Sequence, residues 1–360
     1  MTILLVILIL FALIIVHELG HFIIAKICLV KVLEFGVGYP PTALRLGKIG
    51  DTEYTLNWIP FGGFVRLFGD EGEGQRGEGS FADASRGKQA VILFAGVLMN
   101  FLAGWALFTV AYMQGIPRLA EAPGPGVHLY ISQVIPGSPA DSAGIHAWDE
   151  ILGMEDESGA TPQALTPGAI KEYVSARGGE RIILTFVRND ATSTAAMIPA
   201  NAVIPEAAGQ AGIGINLALV SSGSMTFAEA AKTAFSASWH AFLSVGKSIW
   251  IIISGVLTGS ANIQEIVGPV GLVAVVGEAS SAGLAQLLAL AGFISINLAV
   301  INLVPIPALD GGRLLIIGIE AMLRRSLSKV VIHALNTVGV AAILFLMIAV
   351  TYQDIARLLA

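Results

Sequence analysis

Four long stretches of this 360-residue chain carry almost no charged side chains, and they constrain its fold more than any other feature. They are residues 2–25, 89–117, 279–309 and 330–353. About 20 consecutive apolar residues are enough for a helix to cross the hydrocarbon core of a bilayer. Charged residues make up only 13% of the chain, against about 25% in soluble domains. We therefore predict a polytopic α-helical membrane protein with about four transmembrane helices.

A fifth apolar stretch, residues 233–264, is interrupted by polar and aromatic side chains: Trp239, His240, Lys247 and Trp250. Tryptophan and long basic side chains favour the boundary between membrane and water. The pattern is more typical of an interfacial or re-entrant helix than of another span. No basic segment precedes the first apolar run, so a cleaved signal peptide is not expected there.

Basic residues are concentrated between the first two apolar runs and after the third. The first of these segments contains Lys26, Lys31, Arg45, Lys48, Arg66, Arg76, Arg86 and Lys88. Residues 121–206 are instead mainly acidic. Because cytoplasmic loops carry an excess of Lys and Arg, we expect a multi-pass protein of the inner (plasma) membrane with the acidic region outside. The formal net charge of −6 argues against nucleic acid as a partner.

The first apolar run contains the motif His17-Glu18-Leu19-Gly20-His21, whose three ionisable side chains are the only ones between residues 2 and 25. On a helix, histidines at positions i and i+4 lie on one face and can hold one zinc ion. The glutamate between them is then available as a general base. A protease motif in an apolar helix indicates chemistry within the membrane.

A catalytic zinc site has three protein ligands and an open position for water. Asp310 is the best candidate for the third ligand, because it ends a long uncharged run and follows Pro305 and Pro307. A carboxylate so close to a span is costly and is a functional-site hypothesis by default. Asp310 could instead cap a helix or pair with Arg313.

Two regions differ from the apolar runs. Residues 34–66 alternate apolar and polar side chains between glycines, which predicts short antiparallel strands associated with the membrane. Residues 118–223 are predicted to form one inserted extracytoplasmic α+β domain, between membrane domains at 1–117 and 224–360. Its segment Ser138-Pro139-Ala140 through Ala143-Gly144-Ile145 resembles a PDZ domain.

Together, HELGH, the Pro-Ile-Pro-Ala-Leu-Asp-Gly-Gly run and the PDZ-like insert resemble the site-2 protease family, in particular its bacterial PDZ-containing members. The resemblance implies that His17, His21 and Asp310 bind Zn²⁺ and that Glu18 activates the attacking water. Some relatives carry tandem PDZ domains, whereas this chain has room for one.

The resemblance also implies that three asparagines contact the substrate: Asn302, Asn297 and Asn100. The last belongs to a segment, 96–100, that matches the GxxxN element of the family. A different interpretation is available, because Asn302 could form a hydrogen bond between helices, while Gly96 and Asn100 could simply allow close helix packing.

The predicted function is zinc-dependent intramembrane cleavage of single-span membrane proteins, such as anti-sigma factors or signal-peptide remnants. A non-proteolytic scaffold or chaperone with a structural zinc is the alternative, although it would have no need of Glu18. A metal transporter would require polar residues on several spans.

The PDZ-like insert could capture peptide termini, with residues 211–215 as the carboxylate loop, or could exclude large substrates.

Overall fold

The computed structural model of the protein describes residues 1–70, 76–120, 122–188, 191–201, 210–258, 268–325 and 327–359. These residues form two compact units. One consists of Met1–Gln114 and Met225–Ala360, and the other is Gly115–Ser224. The predicted insert, 118–223, lies within the second unit.

The helices are α1 (Thr2–Ile27), α2 (Arg86–Met113), α3 (Pro139–Ser142), α4 (Pro167–Ser175), α5 (Phe227–Thr258), α6 (Pro269–Ala282), α7 (Leu284–Leu303), α8 (Asp310–Leu323) and α9 (Lys329–Leu359). The strands are β1 (Val32–Ile49), β2 (Thr52–Leu67), β3 (Arg118–Leu119), β4 (Val127–Val134), β5 (Glu150–Asp156), β6 (Ile182–Arg188), β7 (Ala191–Met197), β8 (Ala200–Asn201), β9 (Ala211–Gly212) and β10 (Ile215–Ser221).

Four helices among the described residues are long and apolar enough to cross a membrane, as predicted: Thr2–Ile27, Arg86–Met113, Leu284–Leu303 and Val330–Arg357. The third is shorter than the uncharged run that predicted it. Gly283, with φ of +123°, separates α6 from α7, and the backbone of Val304 is extended ahead of the two prolines. The fifth apolar stretch forms most of α5, and its residues 259–264 lie outside the described residues.

Small residues let α2 pack closely against its neighbours. Gly104 of α2 faces Gly292 and Ile296 of α7, and a β-carbon at Gly104 would lie 2.9 Å from the carbonyl oxygen of Gly292. Ser295 of α7 donates a hydrogen bond of 2.7 Å to the backbone oxygen of Asn100. Such contacts hold helices together where lipid offers no hydrophobic driving force for association. They fix α2 beside α7.

The glycine-rich region after α1 forms one antiparallel hairpin of β1 and β2, rather than several short strands. Glycines that the sequence suggested as turns instead lie within the strands, where the register shifts; Gly38 has φ of +82°. At one end, buried Val32 pairs with buried Leu67. Towards the turn, Leu46, Ile49 and other apolar side chains are exposed.

The second unit is built on a six-stranded antiparallel sheet in the order β3-β10-β4-β5-β6-β7. Its core contains Ile131, Ile151 and Leu184 from the sheet and Ile170 from α4, all nearly inaccessible to solvent. Thr166 caps the start of α4, where its hydroxyl accepts a hydrogen bond from the backbone N–H of Ala169.

Candidate metal centre

The two histidines of HELGH lie on the same face of α1, as their spacing predicts. Their Nε2 atoms are 3.1 Å apart, and the rings meet edge to face. His17 is 7% exposed and His21 is 8% exposed. Imidazole groups this close and this buried need a shared partner that attracts both nitrogens.

Asp310 reaches the same point from about 290 residues further along the chain. Its Oδ2 atom lies 3.0 Å from Nε2 of His17 and 3.2 Å from Nε2 of His21. Asp310 is the first residue of α8, and the glycines after it, Gly311 and Gly312, let α8 begin against the backbone of the preceding loop. A side chain at either glycine would collide with backbone atoms of residues 303–307.

The three atoms fit a zinc ion. Ligands about 2.0–2.1 Å from a tetrahedral zinc are about 3.3 Å apart, close to the observed separations of 3.0 to 3.2 Å. Apart from the histidine nitrogens, Oδ2 of Asp310 has no hydrogen-bond partner among the described residues. The predicted alternative, a pair with Arg313, is not formed, because Arg313 binds Asp70.

Helix α2 orients both imidazole rings from behind. The carbonyl oxygen of Ile92 is 2.8 Å from Nδ1 of His21, and the Asn100 amide is 3.2 Å from Nδ1 of His17. When Nε2 of a histidine binds a metal, Nδ1 carries the proton and donates it to such a partner. The structure places the amide nitrogen of Asn100 at this position. With a metal bound, the amide would be turned to present its oxygen to His17, since an amide takes the orientation that satisfies the hydrogen bonds around it.

Gly96, also on α2, has no side chain, and the imidazole rings of His17 and His21 occupy the space where a side chain would lie. A β-carbon at this position would lie 2.5 Å from Nε2 of His21 and 2.6 Å from Cε1 of His17. No side chain can be added there without moving the two imidazole rings. Close packing at the 96–100 segment was one of its predicted roles, and here it directly shapes the site.

Glu18 lies on the neighbouring face of α1, near both histidines and Asp310. Strand β2 borders it on the other side, where the backbone N–H of Val65 interacts with its carboxylate. Position 63 of β2 lies against Glu18, because a β-carbon there would be 3.5 Å from Cγ of Glu18, an ordinary van der Waals contact. The hairpin therefore forms one wall of the candidate site.

The three asparagines occupy different surroundings. Asn100 is 1% exposed and faces His17. Asn297 donates to the carbonyl oxygen of Phe293, one turn earlier in its own helix. The side chain of Asn302, near the end of α7, makes no hydrogen bond to the described part of the chain and is partly exposed.

Sequence reasoning missed Ile92 and the Gly63–Val65 stretch of β2 as parts of the site. Both contribute backbone groups, which every residue has, so no side-chain pattern could have revealed Ile92. The glycine pair at 62–63 was a weak signal for close approach, and it was interpreted only as part of a β-loop.

A HELGH helix joined by a distant carboxylate, in a chain with four long apolar helices, defines a membrane zinc metalloprotease. Residues 5–346 match the profile of Peptidase family M50, and the chain belongs to that family.

Two relatives named as zinc metalloproteases match this chain over nearly their whole length. A Clostridium perfringens protein, named as a zinc metalloprotease, is 33% identical over 352 residues, covering 96% of this chain and 95% of its own. Zinc metalloprotease RasP of Oceanobacillus iheyensis is 27% identical and covers 95% of this chain and 96% of its own. The crystal structure of the PDZ domain of an SdrC-like protein from Listeria monocytogenes is 21% identical, with a TM-score of 0.22, and the match covers 27% of this chain and 93% of that domain.

Proposed function

We propose that this metalloprotease cleaves single-span membrane proteins within the membrane, with His17, His21 and Asp310 as its zinc ligands and Glu18 as its general base. One observation carries the proposal: three ligand atoms from α1 and α8 converge to within 3.2 Å beside an otherwise apolar helix. Ionisable side chains are expensive in such a setting and persist where they function.

Each residue would have a distinct task in peptide-bond hydrolysis. A zinc ion held by the three ligands would supply a Lewis acid and make a water molecule a better nucleophile at neutral pH. Glu18 would take the proton of that water and pass it to the leaving amine. Ile92 and Asn100 would keep the histidine rings in the tautomer that leaves Nε2 free for the metal.

A transmembrane helix must unwind before its backbone can enter the site, and its freed amide groups then need partners. Asn302 suits this task because its own amide is not used by the described chain. The hairpin wall at Gly63–Val65 offers further backbone groups beside Glu18. Anti-sigma factors shortened by another protease, and remnant signal peptides, are the proposed substrates.

The charge distribution supports a multi-pass arrangement in the inner (plasma) membrane. HELGH lies in the second half of α1, next to Lys26 and the basic hairpin region, so the site would lie towards the cytoplasm. The acidic PDZ-like insert would lie on the other side. There it would either capture the trimmed ends of substrates or exclude those with large outer domains.

Glu18→Gln in the purified protein tests the proposal, with cleavage of a single-span substrate and bound zinc measured together. Cleavage should fall by about 10²- to 10⁴-fold, because the general base is lost, while zinc content stays the same. Glu278→Gln provides the matched control, since Glu278 is exposed on α6. Cleavage by the Glu18→Gln protein at the rate of the parent would refute the assignment.

A further inference from the structure

The edge of the insert's sheet beside β10 is already partly occupied by the chain itself. β3 pairs with the far end of β10, where Leu119 lies opposite Val220 and Arg118 opposite Ser221. The backbone N–H of Ala120 extends this pairing with a hydrogen bond of 2.8 Å to the oxygen of Leu219. The other half of β10, residues 215–218, has no strand partner on this edge among the described residues.

The loop that leads into the open half of β10 has unused hydrogen-bond donors. The carbonyl oxygens of Ile213 and Gly214 accept from Ala140 and Ile135, respectively. Their N–H groups make no hydrogen bond within the described part of the chain. Gly214 has φ of +80°, a conformation that favours glycine. Successive free N–H groups at a glycine turn form a site for a carboxylate.

A cleft of about 550 Å³ runs beside this strand. Its walls are the N-terminal end of α4, residues 217–219 of β10, and three residues of the entering segment: Leu119, Ala120 and Pro123. Most of these side chains are apolar. The entering segment therefore borders the same space that an added strand and its side chains would use.

We propose that β3 regulates the peptide capture considered under the proposed function: a peptide whose terminal carboxylate lay at the 211–215 loop would pair with the open half of β10, and β3 competes with that peptide for the edge. A peptide with its carboxylate at the loop would run antiparallel to β10, in the same direction as β3. Its last four residues could pair along 215–218 before the chain met Ala120. A longer strand pairing would require β3 to leave.

β3 is suited to be displaced because little holds it. It contains two residues, and the Leu119 side chain is 79% exposed. Among the described residues, the hydrogen bonds beside this short pairing are the one between Ala120 and Leu219 and one from Nη1 of Arg118 to the oxygen of Gly223, at 2.8 Å, and Ala120 packs against the core of the insert. The suggestion that the natural peptide is the end of a trimmed substrate rests on the proposed function. The competition between β3 and a peptide at β10 does not depend on it.

Peptide binding by the detergent-solubilised full chain, carrying Glu18→Gln to prevent cleavage, tests the competition. The probe is a fluorescein-labelled peptide, Ser-Gly-Ser-Ala-Val-Leu-Ala-Val, with either a free or an amidated terminus. Ala120→Pro removes the N–H that donates to Leu219 and should tighten binding of the free-terminus probe by about two- to tenfold. Ala122→Pro, at an exposed position whose N–H has no partner among the described residues, should leave binding unchanged.

A reversible cross-link provides the opposite test. Leu119→Cys with Val220→Cys, in a Cys28→Ser background, places two thiols at opposite ladder positions, where the spacing permits a disulfide. The oxidised protein should bind the probe at least about tenfold more weakly than the same protein after reduction. Equal probe binding by the oxidised and reduced proteins would contradict the proposed competition. Equal probe binding by the Ala120→Pro and Ala122→Pro proteins would contradict it as well. Equal binding of free and amidated probes would overturn the carboxylate site, whatever the Glu18→Gln cleavage result.

Discussion

Two carboxylates, one in each unit of this protein, differ in the groups that their oxygens contact. In the insert, Asp149 accepts two hydrogen bonds from Arg188, at 2.6 and 2.7 Å, and one from the backbone of His146. In the membrane unit, Oδ2 of Asp310 meets only the two imidazole nitrogens. The chain supplies hydrogen-bond donors to Asp149, whereas the arrangement around Asp310 suits a metal ion.

This difference distinguishes polar groups with a structural role from polar groups placed to bind a metal ion. A buried carboxylate that accepts hydrogen bonds from an arginine and the backbone is compensated by them, and removal of one partner is strongly destabilising. A buried cluster of three ligand atoms with no cationic side chain attached is costly unless a metal completes it. Substitutions at Asp310 and its neighbours should therefore reduce zinc binding, whereas substitutions at the Asp149–Arg188 pair should reduce the stability of the insert.

Asp310→Ala should have the largest effect, because it removes one of three proposed ligands from a site for which the described residues offer no others. Bound zinc, measured by elemental analysis, should fall from about one per chain to near zero, and cleavage should be lost with it. Asp51→Ala at the exposed hairpin turn is the control. Full zinc retention in the Asp310→Ala protein would remove Asp310 from the ligand set.

Gly96→Ala should have the next largest effect, although it adds only one methyl group. That methyl would overlap both imidazole rings, so the rings or α2 must move. Zinc affinity, measured by competition with a chromogenic chelator, should fall by about 100-fold or more, at the upper end of what altered ligand orientation costs. Gly87→Ala, on the same helix with open space around it, should bind zinc like the parent. Equal affinities in the two variants would mean that α2 tolerates the displacement.

The same contrast explains how much could be predicted from the sequence. The spacing of His17 and His21 places them on one face of any helix. Asp310 could be identified as a candidate because it follows a long run of uncharged residues. The roles of Ile92 and Gly96 depend on where α2 crosses α1, which local pattern does not determine. The hairpin was predicted as short strands because glycines within a bulged strand look like turns in the sequence.

Asn100→Ala should weaken zinc binding less, by about 10- to 100-fold, because it removes a partner of a ligand rather than a ligand. Asn100→Asp should recover part of this loss, since a carboxylate can accept the Nδ1–H of His17. Asn297→Ala is the matched control, because its amide is bonded within α7. If Asn100→Ala left zinc affinity unchanged but raised the KM for substrate, Asn100 would be a substrate contact rather than a positioning residue.

Arg188→Gln should leave zinc binding and the site unchanged but destabilise the insert. The substitution leaves the Asp149 carboxylate, in a residue only 1% exposed, without its charged partner. Loss of one partner from a buried pair costs about 3 kcal/mol. Proteolysis of the insert in the full chain, followed against denaturant concentration, measures the change. Arg181→Gln, at an exposed position of the same unit, should have little effect.

The cost of Arg188→Gln should also depend on pH, and the direction follows from Asp149. Burial tends to raise the pKa of Asp149, but the hydrogen bonds from Arg188 outweigh burial and hold the pKa below its usual value. A carboxyl whose pKa is lowered by folding stabilises the folded state above the unfolded pKa of about 3.9, and this contribution is lost as pH falls. The gap in unfolding free energy between the parent and Arg188→Gln should therefore narrow below about pH 4. A gap that stayed constant from pH 7 to pH 3 would mean that Arg188 acts through packing alone.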